Sequence, residues 1–461
     1  MGLLLREQVN SGMRKHWKNS VLASLLVSLF AYSAAQNPII RNQFSADPSA
    51  RVFGNRVYVY PSHDILAVEG KGRVGWFCME DYHVFSSANL TDWVDHGMIV
   101  QQNSVPWVRP NSYSMWAPDC IERNGKFYFY FPSSPKDTAA YGRGFTVGVA
   151  IADKPEGPFV PQAMPIKGVR GIDPNVFIDK DGQAYLYWAS GNIFVAKLKE
   201  NMLELASEPK IVGELPQKGL KEGPYLFERN GLYYMTYPHV EAKTERLEYA
   251  IGNSPLGPFR FSGVIMDESP TGCWTNHQSI IEWKGQWYLF YHHNDYSPSF
   301  DKARSVRADS LFFNDDGTIR KVLPTLRGPG ITLATKEIQV DRYSRISESG
   351  AHISFLDTLD KFRGWETVFE NTNGWIQYNS VDFGKKSLTH AAVKARSRAG
   401  GILQVRANSI SGPVLAELKI PKSSEWKMVE APVLNFRAGV QHLFVVLKEG
   451  GVVEADWLSF K

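Results

Sequence analysis

The sequence predicts an all-β protein in two parts, a five-bladed β-propeller followed by a β-sandwich of jelly-roll type. Three observations carry this. Runs of β-branched and aromatic residues are broken throughout by Gly, Pro, Asn and Asp, the punctuation of strands and turns. A Gly turn followed by alternating aromatic and aliphatic residues recurs five times, at Gly54, Gly125, Gly182, Gly231 and Gly285. The texture then changes beyond Gly328-Pro-Gly330, and 461 residues exceed what one ordinary core organises.

In chain order, the first segment reads as an export signal. Arg14, Lys15 and Lys18 precede an apolar run from Val21 to Ala31, and Ser33-Ala34-Ala35 supplies small residues for cleavage. The run is short for a membrane span, and no Cys at its end could take a lipid anchor. Residues 1–35 are therefore expected to be a signal peptide, and the protein secreted or periplasmic. Without that segment the formal charge of +4 falls to about +1, which excludes an electrostatic case for nucleic acid or membrane partners. Cys78, Cys120 and Cys273 form no CxxC pair, so neither a zinc site nor a disulfide framework is indicated.

Residues 36–328 hold the repeat. Gly125, Gly182 and Gly231 follow Asn or Asp, the strongest local signal for a tight hairpin. Successive glycines lie 71, 57, 49 and 54 residues apart, a period typical of propeller blades. Unrelated hairpins in a larger sandwich are the competing reading. Just upstream of these glycines stand Asp47-Pro48, Trp116-Ala-Pro118-Asp119, Asp173-Pro174, Glu222-Gly-Pro224 and His277. In a propeller the first strand of each blade lines the central axis, so like positions on different blades converge on one pocket. Taken singly, each acid before Pro reads better as a turn initiator. Their similar offsets, seven, nine and nine residues ahead of Gly54, Gly182 and Gly231, instead suggest paired carboxylates, the acid and base that glycosidic cleavage requires.

These motifs resemble glycoside hydrolase family 43. The likeness runs through Ala46-Asp47-Pro48-Ser49, Met115-Trp-Ala-Pro-Asp119, Gly171-Ile-Asp173-Pro-Asn, Lys221-Glu222-Gly-Pro, Asn276-His277-Gln-Ser and Arg304-Ser-Val-Arg. It implies a five-bladed propeller that works with inversion. Asp47 would be the general base, Glu222 the general acid, and Asp173 the residue that raises the acid's pKa and orients it. His277 matches a central histidine that in many members contacts calcium or its water shell, so calcium is the one cofactor implied; a metal-free interior histidine is the alternative. Trp116 would stack on sugar or fill the core. Arg304 would reach the pocket or form a surface ion pair. Asp64, with His63, would rim the pocket or sit in an exposed loop.

Residues 329–461 alternate short strands with turns, as a small β-sandwich does. Val381-Asp-Phe-Gly, Trp426 and Asp456-Trp457-Leu-Ser-Phe460 resemble carbohydrate-binding module family 6, with Trp426 at a platform position. The match departs at Glu454, where that family often has a sugar-binding Asn. A domain that binds nothing is the alternative.

The expected function is a monomeric hydrolase trimming plant cell-wall polysaccharide or oligosaccharide, first an α-L-arabinofuranosidase on arabinoxylan-like side chains. A β-xylosidase, a β-galactofuranosidase or an exo-galactanase of the same family stand as alternatives. A retaining enzyme of fructans would carry Arg before the middle carboxylate, and Ile172 stands there instead. A non-catalytic sugar-binding protein has no need of an acid and a base.

Overall fold

In each repeat the Gly-centred turn joins two antiparallel strands, and neighbouring strands extend the hairpin into a blade. At Asn124-Gly125 both residues have positive φ, 53° and 73°, the backbone of a two-residue turn whose twist matches that of the strands. The computed structural model describes residues 37–461, so the expected signal peptide 1–35 lies outside the described residues. Four sheets have four strands each, starting at Phe44–Phe53, Asp119–Arg123, Ile172–Ile178 and Tyr225–Arg229. A fifth has three, Ser279–Trp283, Gln286–His293 and Ser305–Leu311. Residues ahead of the first blade occupy the place of its missing strand. Ile39 N–H donates to Val306 O at 2.9 Å, and the Asn37 carboxamide exchanges two 2.9 Å bonds with the Ala308 backbone. This closes the ring of blades.

The aromatic hairpins are explained by burial on both faces. Alternate side chains of one strand enter different gaps between blades: Ala184, Leu186 and Trp188 pack toward the second blade, Tyr185 and Tyr187 toward the fourth. Five apolar clusters, one per gap, hold neighbouring blades together. Along the axis the inner strands are tied by polar groups instead. Asp119 accepts from Ser49 Oγ (2.6 Å), Arg51 Nε (3.0 Å) and Val176 N (2.7 Å), linking the first three blades. Asn175 Oδ1 accepts Leu226 N–H at 2.9 Å, Gln278 Nε2 donates to Gly223 O at 2.9 Å, and Ser279 Oγ donates to Pro48 O at 2.6 Å. The ring of hydrogen bonds thus passes through all five blades.

Thr332–Leu333 already pairs with Trp375–Asp382, in a second fold of two facing sheets. One contains Trp375–Asp382, Val440–Gly450, Gly401–Ala407 and Val414–Ile420; the other contains Ala351–Phe355, Trp365–Phe369, Val453–Phe460, His390–Ser397 and Ser423–Pro432. A single apolar cluster fills the space between them. The sandwich meets the propeller where the Phe362 ring contacts Phe44 and Tyr296, at 5.2 and 5.3 Å. All three cysteines are buried and free. Among the described residues, no helix is long and apolar enough to cross a membrane.

Candidate active site

The inner strands do not run regularly where their acids stand. Asp47 has φ 48° and Asp173 φ 57°, and in both blades the strand register shifts beside the acid. Glu222 precedes Gly223, whose φ is 51°; a Cβ there would lie 2.8 Å from Pro238 Cδ and 3.1 Å from His277 Nδ1. Left-handed conformations at non-glycine residues cost about 1–3 kcal/mol each and persist where the surroundings over-determine them. Here they turn the acids of three blades into one cavity of about 190 Å³. Its walls include Trp76, Phe77, Trp116, Trp274, His277 and Arg304.

The acids differ in surroundings. Asp47 is 6% exposed. Its Oδ1 accepts Arg304 Nη1–H at 2.8 Å, and its Oδ2 accepts the Ser62 hydroxyl at 2.6 Å. Burial, the largest single effect, would push this carboxyl up, but Arg304, His292, His277 and the Ser62 hydroxyl together hold it down to about 2. Asp47 N–H donates to His292 Nδ1 at 3.0 Å, which leaves Nε2 to face Thr275. Glu222 moves the other way: burial raises it above the usual carboxylate range, while a hydrogen bond from Glu245 pulls it back in part. Asp173 is raised well above that range by burial and by the charges of Glu222 and Asp47. Its Oδ2 accepts Gly223 N–H at 2.9 Å, the peptide group adjoining Glu222. The cavity therefore sets one carboxyl held low, Asp47, beside two pushed up, Glu222 and Asp173.

Of the residues singled out in the sequence, Asp47, Asp173, Glu222, Trp116, His277 and Arg304 come together on this wall. Asp64 requires a correction: it does not line the cavity. It is 1% exposed and binds the far side of Arg304, accepting Nε–H at 2.8 Å and Nη2–H at 2.9 Å. Asp64 thus fixes the guanidinium that grips Asp47. His63 points elsewhere and bonds Asp81 at 2.6 Å. Trp76, Phe77 and Trp274 were not foreseen, since they come from loops between strands. Glu245 was missed too; it begins a third strand, with no Pro and no matching offset to mark it.

His277 belongs to no group of three His, Cys, Asp or Glu ligands; among the described residues the one such group is His63, Asp81 and His83. Near His277 the carboxylates are already engaged, Asp47 by Arg304 and Asp119 by Arg51. The unsatisfied atom is Gln278 Oε1, buried without a partner while its Nε2 donates to Gly223 O. An imidazole and one amide oxygen cannot supply the six to eight oxygens of a bare calcium ion, but they suit one that keeps its water shell.

In the sandwich, the Trp426 ring is covered by Arg396, whose Cζ lies 4.6 Å from the centroid, and by Lys394 Nζ at 5.4 Å. Arg396 also pairs with Glu454, the residue standing where an Asn was looked for. Trp365 is buried against Phe355, and Trp375 meets Phe444 at a tilt of 47°.

Two family descriptions match this chain, Glycosyl hydrolases family 43 over residues 35–319 and Carbohydrate binding module (family 6) over residues 348–461. Xylosidase/arabinosidase 43A of Humicola insolens is 37% identical, over 61% of this chain and 98% of that protein. Arabinoxylan arabinofuranohydrolase of Bacillus subtilis (strain 168) is 25% identical over 96% of this chain and 98% of its own length. A solved family 43 β-xylosidase/α-arabinofuranosidase from a compost metagenome, with xylotriose and in a calcium-free form, is similar at TM-score 0.55 and 32% identity, covering 63% of this chain and 98% of that one.

Proposed function

The chain belongs to glycosyl hydrolase family 43, and from that premise we propose that it releases a terminal pentose from arabinoxylan and its oligosaccharides with inversion at the anomeric carbon. α-L-Arabinofuranose is the first sugar and β-D-xylose the second, a pairing supported by the name of the Humicola insolens relative. The observation that carries the reading is the split between Asp47 and Glu222 across one small cavity. At about 190 Å³ it lies below the roughly 300–1,000 Å³ of sites for drug-sized ligands, which favours one sugar ring over a chain.

Asp47, ionised, takes a proton from water as that water adds to the anomeric carbon. Glu222, protonated, gives its proton to the departing glycosidic oxygen. Asp173 holds the Gly223 peptide and so the backbone of the acid. Burial is the main effect that raises Glu222 above the usual carboxylate range. Trp76, Trp116 and Trp274 offer ring faces to the sugar. A hydrated calcium ion held through its waters by His277 and Gln278 would supply positive charge beside these carboxyls. The sandwich would hold polysaccharide near the cavity, and the basic and apolar stretches of residues 14–31 support export.

The test is a panel of nitrophenyl glycosides followed by arabinoxylan, with proton NMR of the first anomer formed. Hydrolysis of the α-L-arabinofuranoside or β-D-xyloside with inversion is expected. Retained configuration, or turnover confined to the β-galactofuranoside, would overturn the reading.

A further inference from the structure

The His63–Asp81 contact, which the hydrolytic scheme does not use, is part of a wider cluster on the first blade. His63 stands near the end of the strand Arg56–Asp64, and Asp81 and His83 open the strand Asp81–Ser87. The two strands run antiparallel with Ser62 opposite Tyr82. That register sets His63 across from Asp81, with His83 two residues along on the same face. The His63 and His83 rings lie 5.3 Å apart, centroid to centroid, at 66°. One nitrogen from each ring and one oxygen of Asp81 fall within 4.8 Å of one another. The three side chains are 14–19% exposed, so solvent and small ions reach them.

The bonds around the cluster leave ligand atoms free. His83 Nδ1 meets Asp95 Oδ1 at 3.2 Å. A carboxylate only accepts, so the neutral ring carries its proton on Nδ1 and its lone pair on Nε2. At the 2.6 Å bond between His63 Nδ1 and Asp81 Oδ1 the proton likewise sits on Nδ1. Among the described residues neither Nε2 makes a hydrogen bond, and no Lys or Arg bonds to Asp81. Asp95 is itself fixed by Gly97 N–H at 2.7 Å and Asn42 Nδ2–H at 2.8 Å. A carboxylate held behind an imidazole is the arrangement that orients metal-binding histidines. Two nitrogens and one carboxylate suit zinc and its first-row neighbours; calcium and magnesium take oxygen.

We propose that His63, Asp81 and His83 form a binding site for a divalent first-row transition metal such as zinc, separate from the catalytic cavity. The ligands of a tetrahedral zinc ion stand about 2.0–2.1 Å from it and hence about 3.3 Å from one another. The three groups therefore close by about 1.5 Å at most, which rotation about side-chain bonds supplies. The remaining position faces solvent and takes a water. The ion ties the end of one strand to the start of the next, at the base of the connection 65–80 that carries Trp76 and Phe77 of the cavity wall. Separated by that connection, the three ligands are assembled by the fold, so the ion binds the folded chain and stabilises it. The site does not depend on which sugar the cavity takes or on the roles of its acids.

The experiment uses the full-length protein, stripped of metal with a chelator and dialysed, and zinc chloride as the probe. Uptake is read by titration calorimetry and stability by thermal melting. Wild type should take up one zinc ion at this site and melt at least about 3 °C higher at a zinc concentration about 100 times Kd. His63→Gln and His83→Gln should each weaken that uptake by about 100-fold or more, and Asp95→Asn, which alters only the group behind His83, by about 10-fold. Calcium chloride in about 10-fold excess should leave zinc uptake unchanged, which separates this site from an ion near His277. Circular dichroism checks that each variant folds. Should a ring variant not fold, Asp81→Asn, which keeps the side chain's shape and removes its charge, should show the same loss. A wild type that binds no zinc, wild-type uptake in the folded His63, His83 or Asp81 variants, or displacement of the zinc by calcium overturns the proposal.

Discussion

Two regions of the molecule gather carboxyl groups, and they neutralise them differently. On the sandwich, Glu454 pairs with Arg396, Asp456 with Lys394 at 2.7 Å, and Glu366 with Arg396 at 3.4 Å; water reaches Glu454 and both cations, while Glu366 and Asp456 are buried. On the propeller axis, Arg304 serves Asp47 and Asp64, and among the described residues no Lys or Arg bonds to Asp173, Glu222 or Glu245. Where neither cation nor water compensates a buried carboxyl, a proton must. Glu366 shows the halfway case: burial pushes it up to about 7 against the pull of Arg396. The density of acidic residues therefore does not distinguish the cavity from the sandwich face; the withholding of a cation from Asp173 and Glu222 does.

The contrast is sharpened most by Asp47→Asn. Loss of the ionised base should lower kcat about 10³-fold or more on every substrate, while the circular dichroism spectrum stays that of the wild type. The same change at Glu454 on the sandwich should leave turnover of small glycosides untouched. A rate within 10-fold of wild type for Asp47→Asn would remove the base from this cavity.

Asp173→Asn tests the cost of uncompensated burial. The folded-state pKa of Asp173 is raised, so its contribution to stability is whole below the unfolded value near 3.8 and is lost as pH rises toward the folded value. Asn has no proton to lose and tolerates the left-handed backbone at this position. At pH 7 the variant should therefore melt higher, by roughly 2–4 °C for each kcal/mol of removed cost, although its activity falls. The gain should shrink as pH is lowered toward 4. A melting temperature below wild type at pH 7 would show that the Gly223 N–H bond matters more than the desolvation.

The blades were legible in the sequence because turn chemistry and alternation are local: Asn124-Gly125 needs only its own two residues to declare a hairpin. That Asp47, Asp173 and Glu222 meet in one cavity was foreshadowed because a repeat converts similar offsets into like places around an axis. Asp64 was misplaced for a related reason. It ends a strand that leads to the cavity, but which face its side chain takes is decided by Arg304, 240 residues away. Glu245 lies among Glu241, Arg246 and Glu248 in a stretch that reads as an ordinary charged strand, and only the tertiary fold brings it to Glu222. Trp426 was visible as an aromatic at a platform position, yet its cover of Arg396 and Lys394 depends on pairing between strands far apart in sequence.

That cover yields the smallest expected effect, and it bears on the sandwich alone. A ring already occupied by a guanidinium has one face fewer for a sugar, and freeing it would break the Arg396–Glu454 pair. Trp426→Ala should therefore change retention on insoluble arabinoxylan by less than about 2-fold, since a stacked cation at an exposed site contributes only about 0.5–1 kcal/mol. Arg396→Met should alter stability by no more than about 1 kcal/mol, as expected for a solvent-screened pair. Retention is read by pull-down on washed polymer and stability by thermal melting. If Arg396→Met instead tightens retention several-fold, the ion pair is a lid on a binding face, and the two carboxyl-rich regions differ in exposure more than in purpose.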